Sequence, residues 1–136
     1  MANEQGTILI KETKAQHIVQ DMDYEIFRPY DNNYKPSANP RGGLINFTIL
    51  SPNEFDHFFH NWMNKGEKHN ARFRLPVRTG HWSQIDFEDA YCVRLSEYYS
   101  NSDSGYNMLM RLTISAPTIK FGVGEEVVFT NNELKK

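Results

Sequence analysis

The sequence is poor in the features that mark an enzyme, a membrane span or a disulfide-stapled domain. It has one cysteine, Cys92, so no intrachain disulfide can form and the chain reads as built for a reducing compartment. It has no run of about 18 apolar residues, the length a membrane-spanning helix needs. The opening Met1-Ala-Asn-Glu-Gln-Gly-Thr7 carries neither the basic nor the apolar region of a secretory signal. Export, if it occurs, is expected by another route. Basic runs are missing apart from the terminal Lys135-Lys136, which reads as a solvated tail, and the formal net charge is -2. That balance provides no global positive field for nucleic acid. No G-x-S-x-G, phosphate loop or G-x-G-x-x-G occurs, and Gly122-Val-Gly124 is a turn signal only. There is no internal repeat.

What is present points to one packed domain over residues 1–136. Hydrophobic residues make up 39% and charged residues 24%, the balance of a globular chain rather than a disordered one. Aromatic residues, at 13%, fall mostly inside segments that alternate with period two. Ile45, Phe47 and Ile49 share a face opposite Asn46 and Thr48. Phe73, Leu75 and Val77 oppose Arg72 and Arg74, and Ile85, Phe87, Tyr91, Val93 and Leu95 form the next apolar face. Met108, Met110, Leu112 and Ile114 repeat the pattern. Each reads as a half-buried antiparallel strand. Weaker strands are expected over 8–12 and 17–28, with Ile18, Met22, Tyr24 and Ile26 facing inward in the second.

Two connections read as hairpins. Gly80 lies in Arg78-Thr-Gly-His-Trp82, and folding about it sets Phe73 opposite Phe87 and Leu75 opposite Ile85. The same register sets Arg74 opposite Asp86 and Arg72 opposite Glu88, so apolar pairs fall on one face and opposite charges on the other. The polar Ser100-Asn-Ser-Asp-Ser-Gly105 suits a second loop, between strands ending near Tyr99 and starting near Asn107. One helix is expected, over about 51–65. Ser51 offers an N-cap, Pro52 suits the first turn and Glu54 completes an S-x-x-E box. Phe55, Phe58, Phe59, Trp62 and Met63 then make one apolar stripe, and Gly66 is a stop. One helix and about seven strands predict a mainly β, closed or nearly closed antiparallel barrel, or a sandwich.

Candidate chemistry is sparse. Glu54, His57 and His60 have helical spacing suited to a shared metal, yet they sit off the apolar stripe, without an H-E-x-x-H motif or a second ligand helix. A solvated helix face is the better reading. Cys92 sits in a regular strand with no activating neighbour, so it reads as a packed residue rather than a nucleophile. Trp62 reads as core. Trp82 either contacts a partner or folds inward to close the barrel end.

The loop from Pro29 to Gly43 has no regular pattern of its own, and loops of this length tend to carry function. Its Lys35-Pro-Ser-Ala-Asn-Pro-Arg-Gly-Gly43, followed by Ile45-Asn-Phe-Thr-Ile49, resembles the loop-and-strand signature of the haemolysin-coregulated proteins of type VI secretion, in their Bacteroidetes-type branch. The helix with Phe58 and Trp62-Met63, then Phe87-Glu-Asp-Ala-Tyr91 and Leu112-Thr-Ile-Ser-Ala116, match the same family in order, over roughly residues 20 to 122. The sequence departs from the family pattern at Lys14-Ala-Gln-His17, where a glycine hairpin is usual, and after Gly122.

The resemblance implies a compact β-barrel with one flanking helix, assembling into hexameric rings. It implies that the rings stack as the inner tube of a contractile apparatus, with no catalytic activity and no cofactor; no metal is expected, since Glu54, His57 and His60 read as a solvated helix face. The implied partners are other copies of the chain, the spike and sheath, and effectors carried in the lumen, with no role for nucleic acid or membrane. The implied location is cytoplasmic before firing and secreted afterwards, with no signal peptide. In that setting Tyr30, Tyr34 and Arg41 are the candidate contacts between subunits or rings, against the plainer reading of a solvated loop. The face carrying Arg72, Arg74, Asp86 and Glu88 is left to line the lumen, a neighbour or solvent. The alternative function is a monomeric β-barrel adaptor or binding module.

Overall fold

Alternating apolar residues produce strands because successive side chains on an extended backbone point to opposite faces. The structure, a computed structural model, describes residues 5–101, 108–124 and 127–131. Its strands are β1 (Gly6–Ile10), β2 (Gln16–Phe27), β3 (Arg41–Leu50), β4 (His69–Arg78), β5 (His81–Tyr99), β6 (Met108–Ser115), β7 (Thr118–Phe121) and β8 (Val127–Thr130). One helix, α1 (Phe58–Lys65), follows β3. The strands form one sheet in the order β4-β1-β2-β3-β6-β5-β7-β8, and a further β4–β5 pairing bends it back on itself into a near-ring. Every pairing is antiparallel.

Against an expected total of about seven, six of them located by alternation, eight strands stand among the described residues. The addition is β7 and β8, four residues each, too short to show a period. Gly122 and Gly124, both at positive φ, lie in the turn between them as the sequence suggested. At the first hairpin, where a glycine is usual, Lys14 takes a left-handed φ of 60° and its N–H donates to the Ile10 carbonyl at 2.7 Å. Tyr99 pairs with Met108 across the second hairpin, whose residues 102–107 lie outside the described residues. Met1–Glu4 and the Lys135-Lys136 tail lie outside them too.

The β4–β5 register differs from the expected one by two residues. Phe73 faces Ile85, Ala71 faces Phe87, Arg72 faces Asp86 and Arg74 faces Gln84. The turn is the two-residue Thr79-Gly80, with Arg78 opposite His81, and Gly80 at φ 77° supplies the left-handed position that such turns demand. A bulge between Pro76 and Arg78 then sets the pairing beyond it. A shift of two keeps every side chain on its face, so Phe73, Ile85 and Phe87 stay in the core while their partners change. Other expected inward residues do not: Val77 and Tyr24 are exposed, and between the left-handed Asp89 (φ 55°) and the bulge at Cys92/Arg94 the phase of β5 inverts, burying Cys92 and exposing Tyr91 and Val93.

Helix α1 starts at Phe58, later than the expected 51–65 span. Ser51 is not its cap: its hydroxyl donates to Glu97 Oε2 at 3.0 Å, and Glu54 is exposed. Between them Asn53 Oδ1 accepts from the Phe55 N–H at 2.9 Å, and Asp56 Oδ1 from the Phe58 N–H at 3.1 Å. These local side-chain bonds compete with helical ones and hold 53–57 in turns. Phe55 is therefore outside the helix and exposed. Gly66 closes the helix in the left-handed conformation, as expected.

The barrel interior is filled by Ile8, Phe47, Phe73, Phe87 and Leu112, with Phe59 and Trp62 of α1 sealing one side. Trp62 lies nearly parallel to Phe87 at 6.3 Å, and its indole N–H donates to the Ala90 carbonyl at 3.0 Å. Full burial of side chains this size contributes about 1.5–3 kcal/mol each.

Candidate functional site

The Pro29–Gly43 connection is a small structured projection. Tyr30 bridges to Pro36, and the Asp31 N–H donates to the Lys35 carbonyl at 2.9 Å. Asp31 Oδ1 accepts from the Asn33 and Lys35 N–H groups at 2.8 and 3.0 Å. Tyr34 sits at φ 63°, and its ring stacks on that of Tyr30 with centroids 5.6 Å apart. The two rings stay 66% and 82% exposed. An aspartate-centred turn has therefore been used to hold two aromatic rings in water, where no core contact rewards them.

Arg41 sits elsewhere, at the foot of the projection as the first residue of β3, paired with Phe27. It lines a hollow of about 400 Å³ with Asp23, Glu25, Phe27, Leu44 and Asn46. The structure thus brings Tyr30 and Tyr34 together and places Arg41 beside the carboxylates of β2. Reading apolar faces from the sequence missed the outward apolar residues: Phe27, Leu44, Tyr98 and Tyr99 are all at least half exposed. The out-of-phase Leu44, beside the in-phase Ile45, was the available signal.

The outer face of β2, β3 and β6 is laced by polar side chains. Asn46 Nδ2 donates to Asp23 Oδ1 at 3.0 Å, and Thr113 Oγ1 donates to Asn46 Oδ1 at 2.6 Å. On β4 and β5, Arg72 holds both Asp86 oxygens, at 2.8 and 3.1 Å, while Lys11 approaches the same carboxylate at 3.7 Å. Glu88 pairs with Lys120 at 2.6 Å, and Arg74 stacks 4.8 Å over the Trp82 ring. Trp82 therefore lies along the sheet surface, 38% exposed. Asp86 is buried under its cations, so this charged face is largely satisfied within the chain.

Of the histidines on the helix and before it, His60 Nε2 lies 3.0 Å from Glu97 Oε1, anchoring α1 to β5, whereas Glu54 and His57 are exposed. Cys92 is buried, with its Sγ 3.5 Å from the Arg94 carbonyl. Burial pushes its thiol up to about 11, partly offset by that hydrogen bond. At neutral pH the nucleophilic thiolate is scarce. No helix among the described residues is long and apolar enough to cross a membrane.

Comparison with solved structures finds the same fold in several other proteins. Hcp1 from Flavobacterium johnsoniae superposes with a TM-score of 0.77 at 21% identity, covering 94% of this chain and 100% of that one. The secreted protein Hcp3 from Pseudomonas aeruginosa gives 0.66 at 12% identity, covering 93% and 97%. A type VI secretion system effector from Yersinia pestis gives 0.68 at 12% identity, covering 93% and 99%. These likenesses establish the fold. No curated relative matches the sequence. The model of the hemolysin coregulated protein family, Hcp (TssD), matches residues 7–132, nearly the whole length, and the chain therefore belongs to that family of type VI secretion proteins.

Proposed function

We propose that the whole chain, residues 1–136, acts as one structural subunit of a type VI inner tube, forming hexameric rings that stack and are expelled with effectors in the lumen. The observation that carries this reading is the family match across residues 7–132. The near-closed barrel supports it, because most strands are paired on both sides and so meet neighbours through side chains, with β8 left as an edge. A ring needs two different patches per subunit meeting head to tail. The stacked Tyr30 and Tyr34 supply one such patch, and Arg41 with its acidic hollow lies at its base. Aromatic rings and arginine give broad contact area with hydrogen bonding, the composition favoured at interfaces. The reading assigns no catalytic step and no cofactor. It places the subunit in the cytoplasm until firing and routes export through the apparatus, with the spike and sheath as further partners.

Native mass measurement tests it. A species about six times the 15.9 kDa of one chain, seen as rings by electron microscopy, is expected. A monomer persisting at high concentration sinks the tube reading in favour of a monomeric binding barrel.

A further inference from the structure

We infer that Arg111 is the centre of a carboxylate-binding subsite on the outer face of the sheet, one that receives an acidic side chain of a bound protein. Three residues stand in one row across three strands: Thr48 of β3 opposite Arg111 of β6, and Arg111 opposite Ser96 of β5. With Leu109 and Tyr98 they line a hollow of about 280 Å³. The Arg111 Nε–H donates to Thr48 Oγ1 at 3.4 Å, a long bond, and among the described residues no carboxylate pairs with this guanidinium. Elsewhere on the barrel Arg72 is clamped to Asp86 and Lys120 to Glu88. Arg111 instead stands with two hydroxyls beside it in register and Tyr98 lining the same hollow.

The chemistry selects a single carboxylate. A planar guanidinium takes a carboxylate through two parallel bonds, and hydroxyl donors complete its remaining lone pairs. A polyanion such as nucleic acid is disfavoured by the acidic groups on the same face. Asp21 is opposite Thr48 and Asp23 opposite Asn46, two strands from the β6 row, roughly 10 Å at sheet spacing and about one Debye length in physiological salt. Leu109 and the exposed ring of Tyr98 add an apolar shelf beside the guanidinium, suited to an apolar residue next to the acidic one. The occupant is thus an acidic-apolar segment of a protein chain. Naming that chain as cargo rests on the ring reading; the subsite does not.

The test uses full-length protein with labelled leucine methyl groups, titrated with the capped dipeptide acetyl-glutamyl-leucine amide. Saturable shifts at Leu109 are expected, with acetyl-glutaminyl-leucine amide and inorganic phosphate each binding at least ten-fold more weakly. Arg111→Gln is expected to weaken the glutamyl probe ten-fold or more, and Arg111→Lys to recover part of the loss. Equal binding of the glutaminyl probe overturns the proposal and requires no variant to fold. So does tighter binding of phosphate, or an unchanged affinity in Arg111→Gln. Oligomeric mass, measured on the same sample, separates the two claims: a monomer that binds the probe keeps the subsite and sinks the ring, and a ring that ignores it does the reverse.

Discussion

Cys92 and His17 show how burial decides chemistry one side chain at a time. The Cys92 thiol, raised to about 11 by burial, should resist an aromatic disulfide reagent at pH 8 in the folded protein and react within seconds once urea unfolds it. Fast labelling of the native chain would contradict that environment. His17 packs edge-on against Phe59 at 4.9 Å, and burial lowers its pKa from 6.5, with Asp56 partly opposing. The unfolded chain then takes up this proton before the folded one does. The stability His17 contributes is whole above 6.5 and is lost as pH falls through that value towards the folded pKa. Thermal midpoints should therefore drop between pH 7.5 and 5.0, and the drop should shrink in His17→Phe, which keeps a ring against Phe59. At this scale the sequence read Trp62 correctly as core, whereas Cys92 is buried although alternation had set it on the face opposite Tyr91 and Val93. The aromatic neighbour of His17 was not legible, because it comes from a helix more than forty residues along the chain.

At the scale of elements, alternation located β3, β4, β5 and β6 because each has one buried face, and period two is the imprint of that burial. The two local misreadings share a cause. Ser51 and Glu54 satisfy the spacing of a capping box, but Asn53 and Asp56 hold their own turns and Glu97 takes the Ser51 hydroxyl. Folding about Gly80 was right, yet the bulge beyond it set the register. Hydrogen bonds to residues distant in sequence, and extra residues in one strand, leave no mark on periodicity. Gly42 is a further case. It lies where the β2–β3 register shifts, at φ 149°, and a Cβ there would stand 2.5 Å from the Glu25 carbonyl oxygen. Gly42→Ala is expected to cost about 2 kcal/mol, read as a lowered urea midpoint with unchanged slope. A midpoint equal to that of the parent would mean the bulge relaxes freely.

On the scale of the molecule, the stacked Tyr30 and Tyr34 stand apart from the core, so their loss should touch assembly and spare folding. The double variant Tyr30→Ser/Tyr34→Ser is expected to keep its unfolding free energy within about 0.5 kcal/mol while shifting the mass distribution away from the ring or its stacks. An unchanged distribution would remove these residues from the interface. The sequence alone determined the strand-rich class, the helix stop at Gly66, the buried faces of β3 and most of β6, and the family resemblance, since all four rest on residues near one another in the chain. Only the tertiary structure decided the β1–β4 pairing that closes the sheet and the row of Thr48, Arg111 and Ser96. Those arrangements depend on how a twisted sheet returns on itself, and that geometry brings together residues whose separation in sequence carries no trace of their meeting.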